Sequence, residues 1–294
     1  MKARNLFFRI SLLVCFSSII LIMLRGKPAD KVSFGAVSHV AEDALYHAGK
    51  IESLLINVSD SEEISIGDKI YAQLSRDYKE IKNEKTLAYV NKIVGQMQPF
   101  LKRRAVQYKI HIVHASFPNA FAIPGGHIYL TDSLLKVIGS EAQLAFILAH
   151  EIIHVDAGHV VSVIKDGDIV SRIFLSPIYS KSQEAEADYA AVYLISSAGY
   201  YPLAAIDILK KISGEDSLSG YTNPVAETVE ATGMLAGRYF DTHPPLSERV
   251  YTIQEYTKTH KVCGRFYIGK QNYEEKIPKT VKAYKGESLW YCVK

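Results

Sequence analysis

Cysteine is scarce in this chain, with three residues in 294, and none has the short spacing of a thiolate metal site. Zinc ribbons and CxxC redox chemistry are therefore excluded. Long apolar runs are equally rare. Ile10–Leu24 is uncharged and mainly apolar, and no other run is long enough for a bilayer span, which excludes a polytopic membrane protein. Internal repeats and low-complexity tracts are absent. No basic stripe or nucleic-acid motif runs through the middle of the chain, so nucleic acid is set aside as a partner.

Charge is distributed unevenly behind a net +3. Residues 1–31 carry six Lys/Arg against one Asp, and residues 258–294 carry nine against three Glu. The middle holds 19 basic and 27 acidic residues. Lys2, Arg4 and Arg9 precede the apolar run and Arg25 closes it. This basic start predicts a cytoplasmic N-terminus with the remainder exported. Snorkelling of Arg9 and Arg25 lengthens a run that is otherwise short for a span. No Ala-x-Ala-like site follows it, so residues 1–30 read as an uncleaved signal anchor, with a cleaved signal peptide as the alternative. The exported part is then inner-membrane-anchored and faces the periplasm, or is free there if cleavage occurs. Cys263 and Cys292 are the two cysteines of that part. An even pair outside the cytoplasm predicts a disulfide, with unpaired thiols as the alternative.

Residues 31–66 read as an N-terminal helical segment. From Gly67, apolar positions at Ile70, Leu74, Tyr78, Ile81 and then Leu87, Val90, Ile93, Val94 predict two amphipathic helices broken near Asn83. Tyr108–Val113 alternates as a strand. Two short apolar runs, Ala120–Ile123 and His127–Leu130, flank Pro124-Gly125-Gly126 and predict a β-hairpin. Ser140, with Gln143 completing a capping box, starts a helix that reaches about Ala157 before Gly158. An irregular stretch follows. Ser182 opens the next helix, and Pro202 a third running to about Ile212. Residues 258–294 form a basic extension whose Tyr/Lys alternation predicts a small strand-rich appendage.

The chemistry concentrates on His150-Glu151-Ile152-Ile153-His154. Four residues apart on one helix, His150 and His154 present both imidazoles to one point. Glu151 points elsewhere and can take a proton from water near the metal. Such a pattern arises by chance in about one chain in fifty of this length, so it does not stand alone. A zinc site of this kind needs a third protein ligand. Glu184-Ala185-Glu186-Ala187-Asp188 supplies two carboxylates at i, i+4: one to ligate and one to orient a ligand imidazole. Neighbouring alanines predict close packing of that helix. Metzincin spacing fails, because Ala157 and Val160 stand where Gly and His are required. His159 is read as a polar neighbour of the site.

With these motifs assembled, the chain resembles the CAAX prenyl protease, HtpX and BepA-type zinc metallopeptidases over about Gly67–Tyr256. The resemblance rests on Asn119–Gly126, the His150–His154 pattern, Glu184-x-x-Ala187-Asp188, and His243-Pro244-Pro245 with Glu248-Arg249. It implies an α+β fold, mainly helical, with a small sheet beside the His150–His154 helix, and a metallopeptidase domain over residues 67–257. It further implies one zinc ion held by His150, His154 and Glu184, with Glu151 as base. Asp188 and Arg249 would stand behind the ligands. His243 would lie near the metal, steadying an oxyanion or capping the site. Asn119, Ala120, Phe121, Ala122 and Ile123 would align an extended protein or peptide substrate. Prenyl proteases and HtpX have several spans and this chain has one at most. The likeness is therefore greater to exported members, which implies quality control of misfolded or misassembled envelope proteins. A latent zinc-binding, chaperone-like module that cleaves rarely is the alternative.

Overall fold

The computed structural model describes residues 58–104, 106–163, 179–214 and 243–293. The segment expected to be a membrane anchor, and most of the stretch expected to be irregular after residue 157, lie outside these residues. Among the described residues, no helix is long and apolar enough to cross a membrane.

Helix α1 (Asp60–Asp77) begins earlier than the pattern from Gly67 suggests. Ser59 and Glu62 close a capping box at its start. Gly67 is not a boundary but a contact point, since a Cβ there would lie 1.9 Å from the Pro124 carbonyl oxygen. Helix α2 (Glu84–Met97) is capped by Asn83, which accepts from Thr86 N–H at 3.0 Å. Strand β1 (Lys109–Val113) follows, and then β2 (Ala120–Ile123), the Pro124–Gly126 turn and β3 (His127–Thr131). β2 and β3 form the expected hairpin, in antiparallel register Ile123↔His127. β1 joins β3 in parallel, giving the order β1-β3-β2 with β2 on the edge.

A short helix α3 (Asp132–Val137) leads to α4 (Glu141–Asp156), all sixteen residues of which are buried. Such a helix is the centre of a core rather than a surface element. Ser140 caps it by accepting from Gln143 N–H, but the capping box is not closed: the Gln143 side chain accepts from Gly139 N–H at 2.8 Å. Helix α5 (His159–Val163) follows at once. Helix α6 (Lys181–Ser197) is capped by Ser180, two residues before the expected Ser182, with Gln183 completing the box. Helix α7 (Ala204–Ser213) starts after Pro202 rather than on it, and α8 (Leu246–Thr259) follows Pro245. The tail adds β4 (Cys263–Tyr267), α9 (Lys270–Glu275) and β5 (Ser288–Cys292). Cys263 and Cys292 face each other in the β4–β5 ladder and are disulfide-bonded.

Two packing relations position the site. The sheet is sandwiched: Ala120, Ala122, Ile128 and Leu130 face the core around α4, while Phe121, Ile123 and Tyr129 pack with Ile70 and Leu74 of α1. The tail is stitched to the start of α4, where the Gly269 and Ile268 carbonyls accept from Glu141 N–H and Ala142 N–H. Those are free helix-terminal donors that a buried end must satisfy.

At the other end of α4, the Asp156 carboxylate accepts from the N–H groups of Lys102 and Arg103. Arg103 donates to the Val155 carbonyl and to Glu63, whose other oxygen accepts from Gly125 N–H. Helix α1, the turn after β2 and the end of α4 are thus tied together.

Candidate metal centre

α4 carries His150, Glu151 and His154, all 0–1% exposed. α6 lies against it through Ala187 and Ala191, both fully buried, on the face that also carries Glu184 and Asp188. Ala185 is exposed and takes no part in that packing. Small side chains let the helices approach closely enough for Glu184 to reach both histidines. His150 Nε2 lies 3.1 Å from His154 Nε2 and 3.3 Å from Glu184 Oε2, and His154 Nε2 lies 3.7 Å from Glu184 Oε1.

This donor set suits a small divalent cation. At most one proton fits between the two Nε2 atoms, and Glu184 Oε1 is buried without a hydrogen-bond partner among the described residues. Zinc–ligand bonds of about 2.0–2.2 Å in a tetrahedron set ligand atoms about 3.3 Å apart, close to the separations here. Electrostatics agree. Burial and the Arg249 guanidinium push His150 down, but Asp188 and Glu184 outweigh them and lift it to about 9. A site that raises a buried histidine is short of positive charge. Burial drives His154 well below the usual histidine range. Burial alone would raise Glu184, yet His243, His150 and His154 hold it well below the usual carboxylate range.

Both histidines are held from behind. His150 Nδ1 lies 2.9 Å from Asp188 Oδ1, and Arg249 donates to both oxygens of that carboxylate at 2.6 and 2.8 Å. His154 Nδ1 lies 3.0 Å from His159 Nδ1, and His159 Nε2 is 3.6 Å from Glu186 Oε2. His159 stands behind His154, five residues on and across the break between α4 and α5, rather than among the converging donors.

Glu151 is 1% exposed, its Oε2 has no hydrogen-bond partner, and burial raises its carboxyl. His243 donates from Nδ1 to Glu184 Oε2 at 2.9 Å. His150, Glu184 and His243 therefore form a second, overlapping group of three that could hold an ion. His243 Nδ1 faces the Glu184 carboxylate, while the Nε2 atoms of His150 and His154 face each other and that same carboxylate.

β2 borders the same site. Tyr179 stacks on His154, with ring centroids 3.7 Å apart and planes at 11°, and its hydroxyl donates to the Ala122 carbonyl at 3.2 Å. Asn119 Oδ1 accepts from Ala120 N–H at 2.9 Å. Sequence patterning gave no sign of Tyr179.

The model of peptidase family M48 matches residues 84–177 and 167–257, spanning every residue of this site. Among curated proteins, the mitochondrial metalloendopeptidase OMA1 of Arabidopsis thaliana is 27% identical over 217 residues, 67% of this chain and 42% of that protein. The protein of the same name from Schizosaccharomyces pombe is 25% identical over 192 residues, 58% of this chain and 53% of its own. The beta-barrel assembly-enhancing protease of Yersinia pestis is 19% identical over 248 residues, 72% of this chain and 51% of its own. The chain spans about half the length of these relatives. With the family's model covering more than half of its residues, this chain belongs to peptidase family M48.

Proposed function

We propose that this chain is a zinc-dependent endopeptidase in which His150, His154 and Glu184 hold one zinc ion and Glu151 is the general base. The observation that carries the reading is the convergence of those three donor groups on one buried point, within 3.1–3.7 Å of each other. Zinc there supplies Lewis acidity, lowering the pKa of a water toward about 7 and polarising a carbonyl. Glu151 accepts the proton of the attacking water and returns it to the departing amine. Burial raises its carboxyl, which eases the return of the proton that the base has taken. Asp188 fixes His150 in the tautomer with the proton on Nδ1, and Arg249 keeps Asp188 ionised. His243, held against Glu184, is the residue we assign to steadying the oxyanion or capping the site. β2 offers an edge on which an extended chain can pair by its backbone, so the substrates are unfolded segments of proteins rather than one side-chain code.

The substrate class we propose is misfolded or misassembled envelope protein, met in the periplasm by a chain anchored through residues 1–30. Its support is the likeness to a beta-barrel assembly-enhancing protease and the charge pattern of the N-terminal segment. A second reading, a latent zinc-binding quality-control module, is favoured by the burial of the donor residues and of all of β2.

Casein cleavage by the wild type and by Glu151→Gln separates the two. The expectation is a loss of about 10²–10⁴-fold in rate with metal content unchanged. Equal cleavage by both proteins would remove Glu151 from the mechanism, and no cleavage by the wild type would favour the latent module.

A further inference from the structure

Strand β2 pairs with β3 in alternating fashion, and Thr131 N–H donates to the Asn119 carbonyl. Phe121 and Ile123 therefore direct their backbone groups at β3, and Ala120 and Ala122 direct theirs at the opposite edge. Two of the four edge groups are already held: Ala120 N–H by the Asn119 side chain, and the Ala122 carbonyl by the Tyr179 hydroxyl. An antiparallel chain pairing with Ala122 must place its own N–H on that carbonyl. The Tyr179 ring lies against His154 while its hydroxyl reaches the edge, beside the point where the proposed reading sets the scissile bond. Tyr179 is itself buried, at 6% exposure, so it is packed into this position rather than resting over it.

We infer that Tyr179 is an internal competitor of the substrate: its hydroxyl stands in for a substrate N–H on Ala122, and its ring occupies the adjoining backbone position. This rests on the proposed reading of β2 as the substrate-aligning edge. Binding of an extended chain then requires Tyr179 to leave Ala122, and its hydroxyl sets how readily a given segment is admitted. Segments that offer a continuous extended backbone displace it, whereas folded surfaces do not.

The test measures affinity, so it does not depend on turnover. A fluorescein-labelled, unstructured casein peptide is titrated by anisotropy into full-length zinc-loaded Glu151→Gln and into Glu151→Gln/Tyr179→Phe. Phenylalanine keeps the stack on His154 and frees the Ala122 carbonyl. Kd should fall about three- to tenfold, the net worth of one hydrogen bond. Equal or weaker binding by the double variant overturns the competition. Absence of saturable binding by both proteins overturns the edge-strand reading beneath it. A second readout needs no change at position 179: nitration of Tyr179, followed by mass spectrometry, should rise severalfold when peptide saturates Glu151→Gln. Unchanged nitration with peptide bound also overturns the proposal.

Discussion

Arg249 donates from two nitrogens to both oxygens of Asp188, and each side chain is only 1% exposed. Removing one member leaves a buried charge unmatched. Arg249→Leu should therefore cost about 3–5 kcal/mol, read as a lowered urea midpoint in EDTA. Replacing both residues with leucine should recover most of that loss, because an apolar pair of similar volume replaces a desolvated ion pair. Zinc affinity should not recover. With Asp188 gone, His150 loses the acceptor that fixes its tautomer, and affinity should fall about 10–100-fold in a competition titration. Recovery of affinity in the double variant would show that Asp188 acts only on stability.

The two acidic residues that flank Ala185 differ sharply in surroundings. Glu184 is 1% exposed and faces both histidines of α4, whereas Glu186 stands behind His159. Glu184→Ala should lose bound metal, and Glu186→Ala should retain it, by elemental mass spectrometry after dialysis. The reverse result would move the third ligand to Glu186.

Gly67 tests how α1 is seated. A methyl group there would lie 1.9 Å from the Pro124 carbonyl oxygen, and backbone cannot yield as a flexible side chain does. Gly67→Ala should destabilise by about 1–3 kcal/mol as an overpacking change, measured by urea unfolding. Because the clash falls on the turn that follows β2, peptide affinity should drop as well. A variant as stable as the wild type would mean that α1 shifts freely over the turn.

This same glycine shows where sequence reading stopped. A glycine before an amphipathic run reads as a boundary, since the same residue serves caps and close contacts, and its partner Pro124 lies 57 positions away. The hairpin and α4 were legible because their signals are local: a Pro-Gly-Gly turn between apolar runs, and a serine cap before an apolar stretch. Glu184 was legible as a candidate because zinc chemistry demands a third ligand. Tyr179 was not, because neither ring stacking nor a hydroxyl on a distant strand leaves a periodic trace. The contact of His159 with His154 was hidden for a similar reason: it crosses a helix break, where spacing rules lapse.

A last prediction concerns the other side of the sheet, well away from the metal. His111 Nε2 and His127 Nδ1 lie 2.9 Å apart, with Glu80 Oε1 2.8 Å from His111 and Asp68 Oδ1 3.1 Å from His127. Tyr71 and Tyr129 stack on the pair, and Lys109 Nζ lies 3.4 Å from His127 Nε2. Burial, helped by Lys109 and His111 and opposed by Asp68, pushes His127 down to about 4; burial also lowers His111. In the unfolded chain a histidine titrates near 6.5. Between about pH 6.5 and 4 the unfolded state therefore binds more protons than the folded one. The stabilisation is full above pH 6.5 and is lost as pH falls toward 4. For His127 this amounts to at most about 3 kcal/mol. Asp68, lowered chiefly by its bond to Lys109, contributes only below the ordinary aspartate range and does not blur that window. Urea midpoints measured in EDTA from pH 7.5 to 4.5 should fall steeply for the wild type and more gently for His127→Gln. Working without metal keeps protonation of the zinc-binding histidines from adding metal release to the slope. A variant that keeps the wild-type slope would assign the acid sensitivity to groups other than this histidine pair.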